Sequence, residues 1–70
     1  MELTNQDKIN AIKANLLSIA ERSYQHKMDM QIASINGNQE AAGQYQAIID
    51  ELAVSAKVYQ GELEKLDLEQ

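Results

Sequence analysis

Two runs of eight residues in this chain repeat with alternating spacings of three and four, and the runs mirror each other about Gly37 and Asn38. Most of these positions are apolar. Such spacing is typical of a helix that presents one seam to a second helix. The first run is Ile9, Ile12, Leu16, Ile19, Ser23, His26, Met30 and Ala33, and the second is Ala42, Tyr45, Ile49, Leu52, Ala56, Tyr59, Leu63 and Leu66. The sequence therefore predicts an all-α fold, an antiparallel two-helix hairpin of the coiled-coil type.

The mirror also predicts a register for the two helices. Ile19 would face Ala56 and Ser23 would face Leu52, so large side chains meet small ones, as a densely packed narrow seam requires. The eight expected level pairs are Ile9 with Leu66, Ile12 with Leu63, Leu16 with Tyr59, Ile19 with Ala56, Ser23 with Leu52, His26 with Ile49, Met30 with Tyr45, and Ala33 with Ala42. Two ion pairs are expected on the flanks of the seam, each stabilising by ~0.2–1 kcal/mol: Lys8 with Glu69, and Lys13 with Asp67.

Local signals predict where each helix begins and ends. Thr4 is a favourable N-cap with Asp7 at the third helical position, an acidic form of the capping box. Asn36 and Gly37 tolerate the left-handed backbone that ends a helix, and Asn38 can cap the next one. Residues 1–70 are therefore expected to form a single helical hairpin, with helix 1 at about 5–35, a turn at 36–38 and helix 2 at about 39–66.

The chain is acidic, with 11 Asp and Glu against 6 Lys and Arg and a net charge of −5. Residues 1–36 carry four acids and four bases, so residues 37–70 hold the whole net charge. The absence of a basic patch argues against direct binding of nucleic acid or an anionic membrane. The chain also has no cysteine and no apolar run of membrane-spanning length. We therefore expect a cytoplasmic protein without disulfides.

Apolar residues outside the seam form a second stripe on each helix. The seam includes Ala, Ser and His, so its sixteen residues bury little apolar surface for a chain of this length. A helix that is apolar on two faces is normally covered on both. The helix 1 stripe is Leu17, Tyr24, Met28 and Ile35; the helix 2 stripe is Ala47, Val54, Gly61 and Leu68, with Ile48 and Val58 nearby.

These stripes predict that the hairpin has a protein partner. Self-association is the simplest interpretation, as a homodimer or higher oligomer, with two hairpins forming a four-helix bundle. The alternative is a groove or a helix on another protein. Tyr24 is the expected anchor, because tyrosine and methionine are enriched at the centres of interfaces. The predicted interface residues are Leu17, Tyr24, Met28, Ile35, Val54 and Val58.

Signals for catalysis or metal binding are weak. His26 is the only histidine, and Ser23 lies one helical turn before it on the seam. The expected neighbours across the seam are apolar and no acid is placed to orient the ring, so the pair is interpreted as a polar layer that selects the register. The chain has no Glu-x-x-His pair and no glycine-rich phosphate loop. We therefore expect a protein that is not an enzyme and uses no cofactor or metal.

Two functions from different classes fit these features. The first is a structural, assembly or adaptor component of a larger complex that self-associates through its stripes. The second is a small acidic protein that inhibits or regulates a partner by occupying a groove or a basic surface, with acidic residues steering the encounter. These residues are Glu62, Glu64, Asp67 and Glu69. Small acidic hairpins occur among bacteriophage products as particle parts, assembly aids or inhibitors, so a viral origin, with a place in the host cytoplasm or the virion, is one expectation.

Overall fold

The computed structural model describes residues 2–69 and contains two helices, α1 (Asn5–Ile35) and α2 (Gln39–Leu68). The helices pack against each other along their length, which confirms the all-α two-helix fold. The hairpin measures 50 × 17 × 16 Å. α2 continues through Gly61 and ends at Leu68, within two residues of the expected end at about residue 66.

α1 begins in a reciprocal capping box. The Thr4 hydroxyl oxygen accepts a hydrogen bond from the Asp7 backbone N–H at 3.1 Å, and the Asp7 carboxylate accepts one from the Thr4 N–H at 3.1 Å. Both N–H groups belong to the first turn, where a helix offers no carbonyl partner. The carboxylate also lies at the positive end of the helix dipole.

Removing this cap should destabilise the fold without changing it. We expect Thr4→Ala to lower the free energy of unfolding by about 1 kcal/mol, because it leaves the Asp7 N–H without its partner. Chemical denaturation followed by circular dichroism, at one protein concentration for all variants, measures this change. Thr4→Ser keeps the hydroxyl and is the matched control. Equal losses in both variants would contradict the role of the hydroxyl.

The turn closes α1 with a Schellman motif. The Asn38 N–H donates to the Ala33 carbonyl at 2.8 Å and the Gly37 N–H donates to the Ser34 carbonyl at 3.1 Å. Gly37 has a φ of 76°, the left-handed region in which glycine lacks the steric penalty of other residues. The Asn38 side chain then caps α2 by accepting from the Ala41 N–H at 3.1 Å. The chain thus reverses direction within three residues.

The core of the hairpin is the seam. Every one of the sixteen seam residues is buried or half-buried, and within residues 2–69 the buried positions all belong to the seam. The main cluster lies at the open end, where both members of three expected level pairs pack together. It consists of Ile9, Ile12 and Leu66 with Leu16, Tyr59 and Leu63 around them.

The expected flank ion pairs do not form. Among residues 2–69, the only basic and acidic side chains with a nitrogen and an oxygen within 4.0 Å of each other are His26 and Asp29, so the expected pairs of Lys8 with Glu69 and Lys13 with Asp67 are corrected. All four of those residues are exposed. Holding a long side chain in one geometry costs rotamer entropy, which the weak attraction between charges in water does not offset.

Candidate interaction surface

The back of α1 carries large apolar side chains that the hairpin leaves exposed or only half covers. Leu17, Tyr24 and Ile35 have between 62% and 85% of their surface exposed, and Met28 is half-buried. At ~100° per residue, these positions lie roughly 130° to 170° around the helix from the centre of the seam. We call these four residues the α1 stripe. α2 packs on the other side of α1 and leaves these side chains exposed or half-buried.

Ile32 also belongs to this exposed surface, although sequence reasoning did not include it. It is exposed, and it lies four residues after Met28 and three before Ile35. Residues at these separations are neighbours on one face of a helix. The signal was therefore in the sequence, as a second spacing of four and three that begins at Met28.

The back of α2 carries smaller apolar groups. Val54 and Val58 are exposed, and so is Leu68 near the end of the helix. Gly61 lies on the same face, and a Cβ atom added there would meet nothing within 4 Å. No contact within the hairpin therefore requires glycine at this position, although glycine costs roughly 1 kcal/mol relative to alanine inside a helix. We call Val54, Val58, Gly61 and Leu68 the α2 stripe.

The two stripes are displaced from the back of their helices towards opposite flanks of the seam. A groove near the turn is lined by Gln31 and Ile35, and Gln31 follows Tyr24 by seven residues, so the α1 stripe borders this side. A second groove near the middle of the rod is lined by Arg22 and Ser55, and Val58 follows Ser55 by one helical turn. Arg22 precedes a seam residue and Gln31 follows one, so at ~100° per residue the two grooves flank the seam on opposite sides. No broad side of the hairpin therefore presents both stripes together.

Net charge is distributed unevenly between the two halves of the hairpin. Residues 1–36 are neutral, and residues 37–70 carry seven acids against two bases. The four predicted steering residues are all exposed, on the last turns of α2 and just after them. They form no ion pair within the described part of the chain. These residues are Glu62, Glu64, Asp67 and Glu69.

His26 has an acidic neighbour that the sequence interpretation missed. Its Nδ1 atom lies 3.8 Å from a carboxylate oxygen of Asp29, three residues later on α1. That nitrogen is buried and has no hydrogen-bond partner, so the Ser23 hydroxyl does not reach it. The imidazole ring stacks on Tyr45, with centroids 5.9 Å apart and an interplanar angle of 26°. Ser23 and His26 are therefore not arranged as a nucleophile hydrogen-bonded to its base.

Other classes of site find little support in residues 2–69. No three His, Asp or Glu side chains come together there as a metal ion would require. Neither helix has the length and apolar character needed to cross a membrane.

No protein-family model matches this chain, and no curated protein or solved structure matches it either. The α1 stripe, with its four large exposed or half-buried apolar residues, is thus the best candidate for a functional surface.

Proposed function

We propose that this protein is a non-enzymatic helical hairpin that self-associates and serves as a structural, assembly or adaptor element of a larger complex. The observation that carries the proposal is the exposed α1 stripe. Tyrosine, methionine and large aliphatic side chains are typical of the centres of interfaces, where each contributes large contact area. An apolar stripe of this kind on a soluble helix is normally covered by another protein surface.

The exposed area of the hairpin supports the same proposal. Its accessible surface is 5293 Å². A compact monomer of 7.8 kDa is expected to expose ~4,400 Å², so the hairpin exposes about 900 Å² more. A stable interface of standard size buries about 800 Å² on each partner. One symmetric contact would therefore bring the chain close to the surface expected of a compact protein.

Self-association of two hairpins would produce a rod-like unit of four helices, which we propose as a four-helix bundle. Rigid helical rods are suited to spacing or joining other components, because their length is set by the number of helical turns. The hairpin has no proline and its helices run without interruption for 31 and 30 residues. These features support a mechanical role better than a chemical one.

The solution mass is the direct test of this proposal. We expect light scattering coupled to size exclusion to give about twice the chain mass of 7.8 kDa, or a larger fixed multiple, with little dependence on salt. Salt should have little effect because apolar burial, not attraction between charges, would hold the copies together. A folded monomer up to concentrations of roughly 0.1 mM, where even a weak dimer associates, would contradict the proposal.

A second function is supported by the uneven charge. The four exposed acidic residues near the end of α2 suit a small acidic protein that occupies a basic surface or a groove on a partner and blocks it. Association of this kind weakens as salt is raised, because the charges are exposed to solvent. A monomeric mass, together with salt-sensitive binding that is lost when Glu62, Glu64, Asp67 and Glu69 are changed to glutamine, would favour this function.

A further inference from the structure

The α1 stripe has a spacing that reads the same in both directions along the helix. Its four residues are separated by seven, four and seven positions, so the stripe is symmetric about residue 26. From this symmetry, and resting on the self-association proposed above, we infer that two copies pair through α1 alone, antiparallel, around a two-fold axis at the level of residue 26. Leu17 then packs on Ile35 of the second copy, and Tyr24 packs on Met28 of the second copy.

A two-fold axis requires a self-complementary surface, since the same residues serve both partners. The α1 stripe meets this requirement, because an antiparallel second copy places every stripe residue level with another stripe residue. The stripe is 18 residues long, which corresponds to ~27 Å of helix, and its two central residues are Tyr24 and Met28. The aromatic ring and the flexible thioether thus meet on both sides of the axis, where interface anchors are most effective.

The direction of pairing follows from a charged residue on the same face as the α1 stripe. Glu21 lies on the same face of α1, seven residues before Met28. A parallel pair in register would place Glu21 against Glu21 of the second copy, whereas the antiparallel pair places it level with Gln31. Like charges that face each other are destabilising. Lys27 lies at the edge of the stripe near the axis, where its long side chain extends into solvent.

Net charge also favours α1 over α2 as the contact helix. Residues 1–36 have no net charge, so two α1 helices meet without net repulsion. Residues 37–70 carry −5, so a contact between two α2 helices would oppose −5 with −5. Because the stripes lean towards opposite sides of the hairpin, pairing through α1 leaves α2 on the outside. This contact places the four helices in one layer in the order α2, α1, α1, α2, so it refines the bundle proposed above into an extended layer with the acidic helices at its edges.

Disulfide cross-linking tests this pairing, and the chain offers a clean background because it contains no cysteine. Leu17→Cys and Ile35→Cys are both at exposed positions, so the fold should tolerate them. The two variants are mixed, allowed to exchange and oxidised, with an affinity tag on one of them to distinguish the products by mass. We expect the mixture to form a disulfide dimer that joins the two variants. This dimer should form at least ~10-fold faster than either variant alone forms a dimer with itself. In the inferred pair the two copies of the same position are far apart, and cysteines with Cα atoms more than 7 Å apart cannot bond.

Each alternative gives a different result. Fast cross-linking of each variant with itself would mean parallel pairing. Cross-linking only of Val58→Cys, with no reaction at Leu17→Cys or Ile35→Cys, would mean pairing through α2. Either outcome, with a dimeric mass by light scattering, overturns the inferred pairing and leaves self-association intact. A monomeric mass overturns both.

Discussion

Replacing Tyr24 and Met28 together by aspartate should disperse the oligomer into folded monomers. The change removes the two large side chains at the centre of the α1 stripe and puts four carboxylates into a two-copy interface. Truncating interface anchors commonly costs 2 kcal/mol or more each. We therefore expect the dissociation constant to rise at least ~100-fold, which corresponds to a loss of roughly 3 kcal/mol of association free energy. Light scattering over a dilution series measures this shift, and circular dichroism checks that the helices remain.

A matched control separates loss of the apolar surface from added charge. Asn15→Asp with Gln60→Asp adds the same two negative charges at exposed positions outside both stripes. This variant should keep the oligomeric mass of the original chain. If both variants dissociate equally, net charge rather than the α1 stripe controls association. If the Tyr24 and Met28 variant keeps its mass, the stripe is not the interface. Loss of the oligomer with undiminished binding to another protein would favour the inhibitor function.

Leu66→Ala should be among the most destabilising single changes in the hairpin. The side chain is 3% exposed and packs with Ile9 and Ile12 in the cluster at the open end. Truncating a buried leucine to alanine costs about 2–5 kcal/mol, because apolar surface is lost and a cavity remains. Urea denaturation at fixed protein concentration measures the cost as a fall in the midpoint. This loss is a large share of the total stability expected for a domain of this size.

Leu68→Ala is the control, because it makes the same chemical change two residues later on the same helix. Leu68 is 87% exposed, so we expect a change within about 0.5 kcal/mol. The difference between the two variants reports whether the last turns of α2 are packed in solution. Similar small effects at both positions would mean that α2 frays beyond Gly61. Such fraying would contradict the packing of Leu66 against α1.

The seam could be predicted from sequence because its spacing is long, regular and repeated in mirror image. The helix caps could also be predicted, because the Thr4 and Asn38 side chains accept hydrogen bonds from backbone N–H groups only three residues later. The end of α2 depends on packing across the seam. Glycine costs roughly 1 kcal/mol relative to alanine inside a helix, but α2 continues through Gly61 because Leu63 and Leu66 continue the seam and pack against α1. Tertiary packing outweighs local propensity there.

Side-chain pairing was predicted less well than backbone structure. The expected flank ion pairs do not form, because an exposed lysine gains little free energy when it is held against one acidic partner. The neighbour of His26 was missed although Asp29 lies three residues later, a spacing that places two side chains on one face of a helix. The spacing and exposure of the α1 stripe indicate a contact surface, while the surface that covers it belongs to another molecule and leaves no signal in local spacing.

The position of the α1 stripe along its helix has a consequence for the size of the assembly. The stripe is centred on residue 26, whereas the middle of α1 is residue 20, so the contact lies ~9 Å nearer the turn. In the antiparallel pair, the two hairpins would therefore slide past each other instead of overlapping fully. They would share ~30 Å of contact around the axis, and the α1 pair would reach ~60 Å from tip to tip. Each open end would overhang its neighbour, so the unit would present two separate ends for attachment rather than one blunt block.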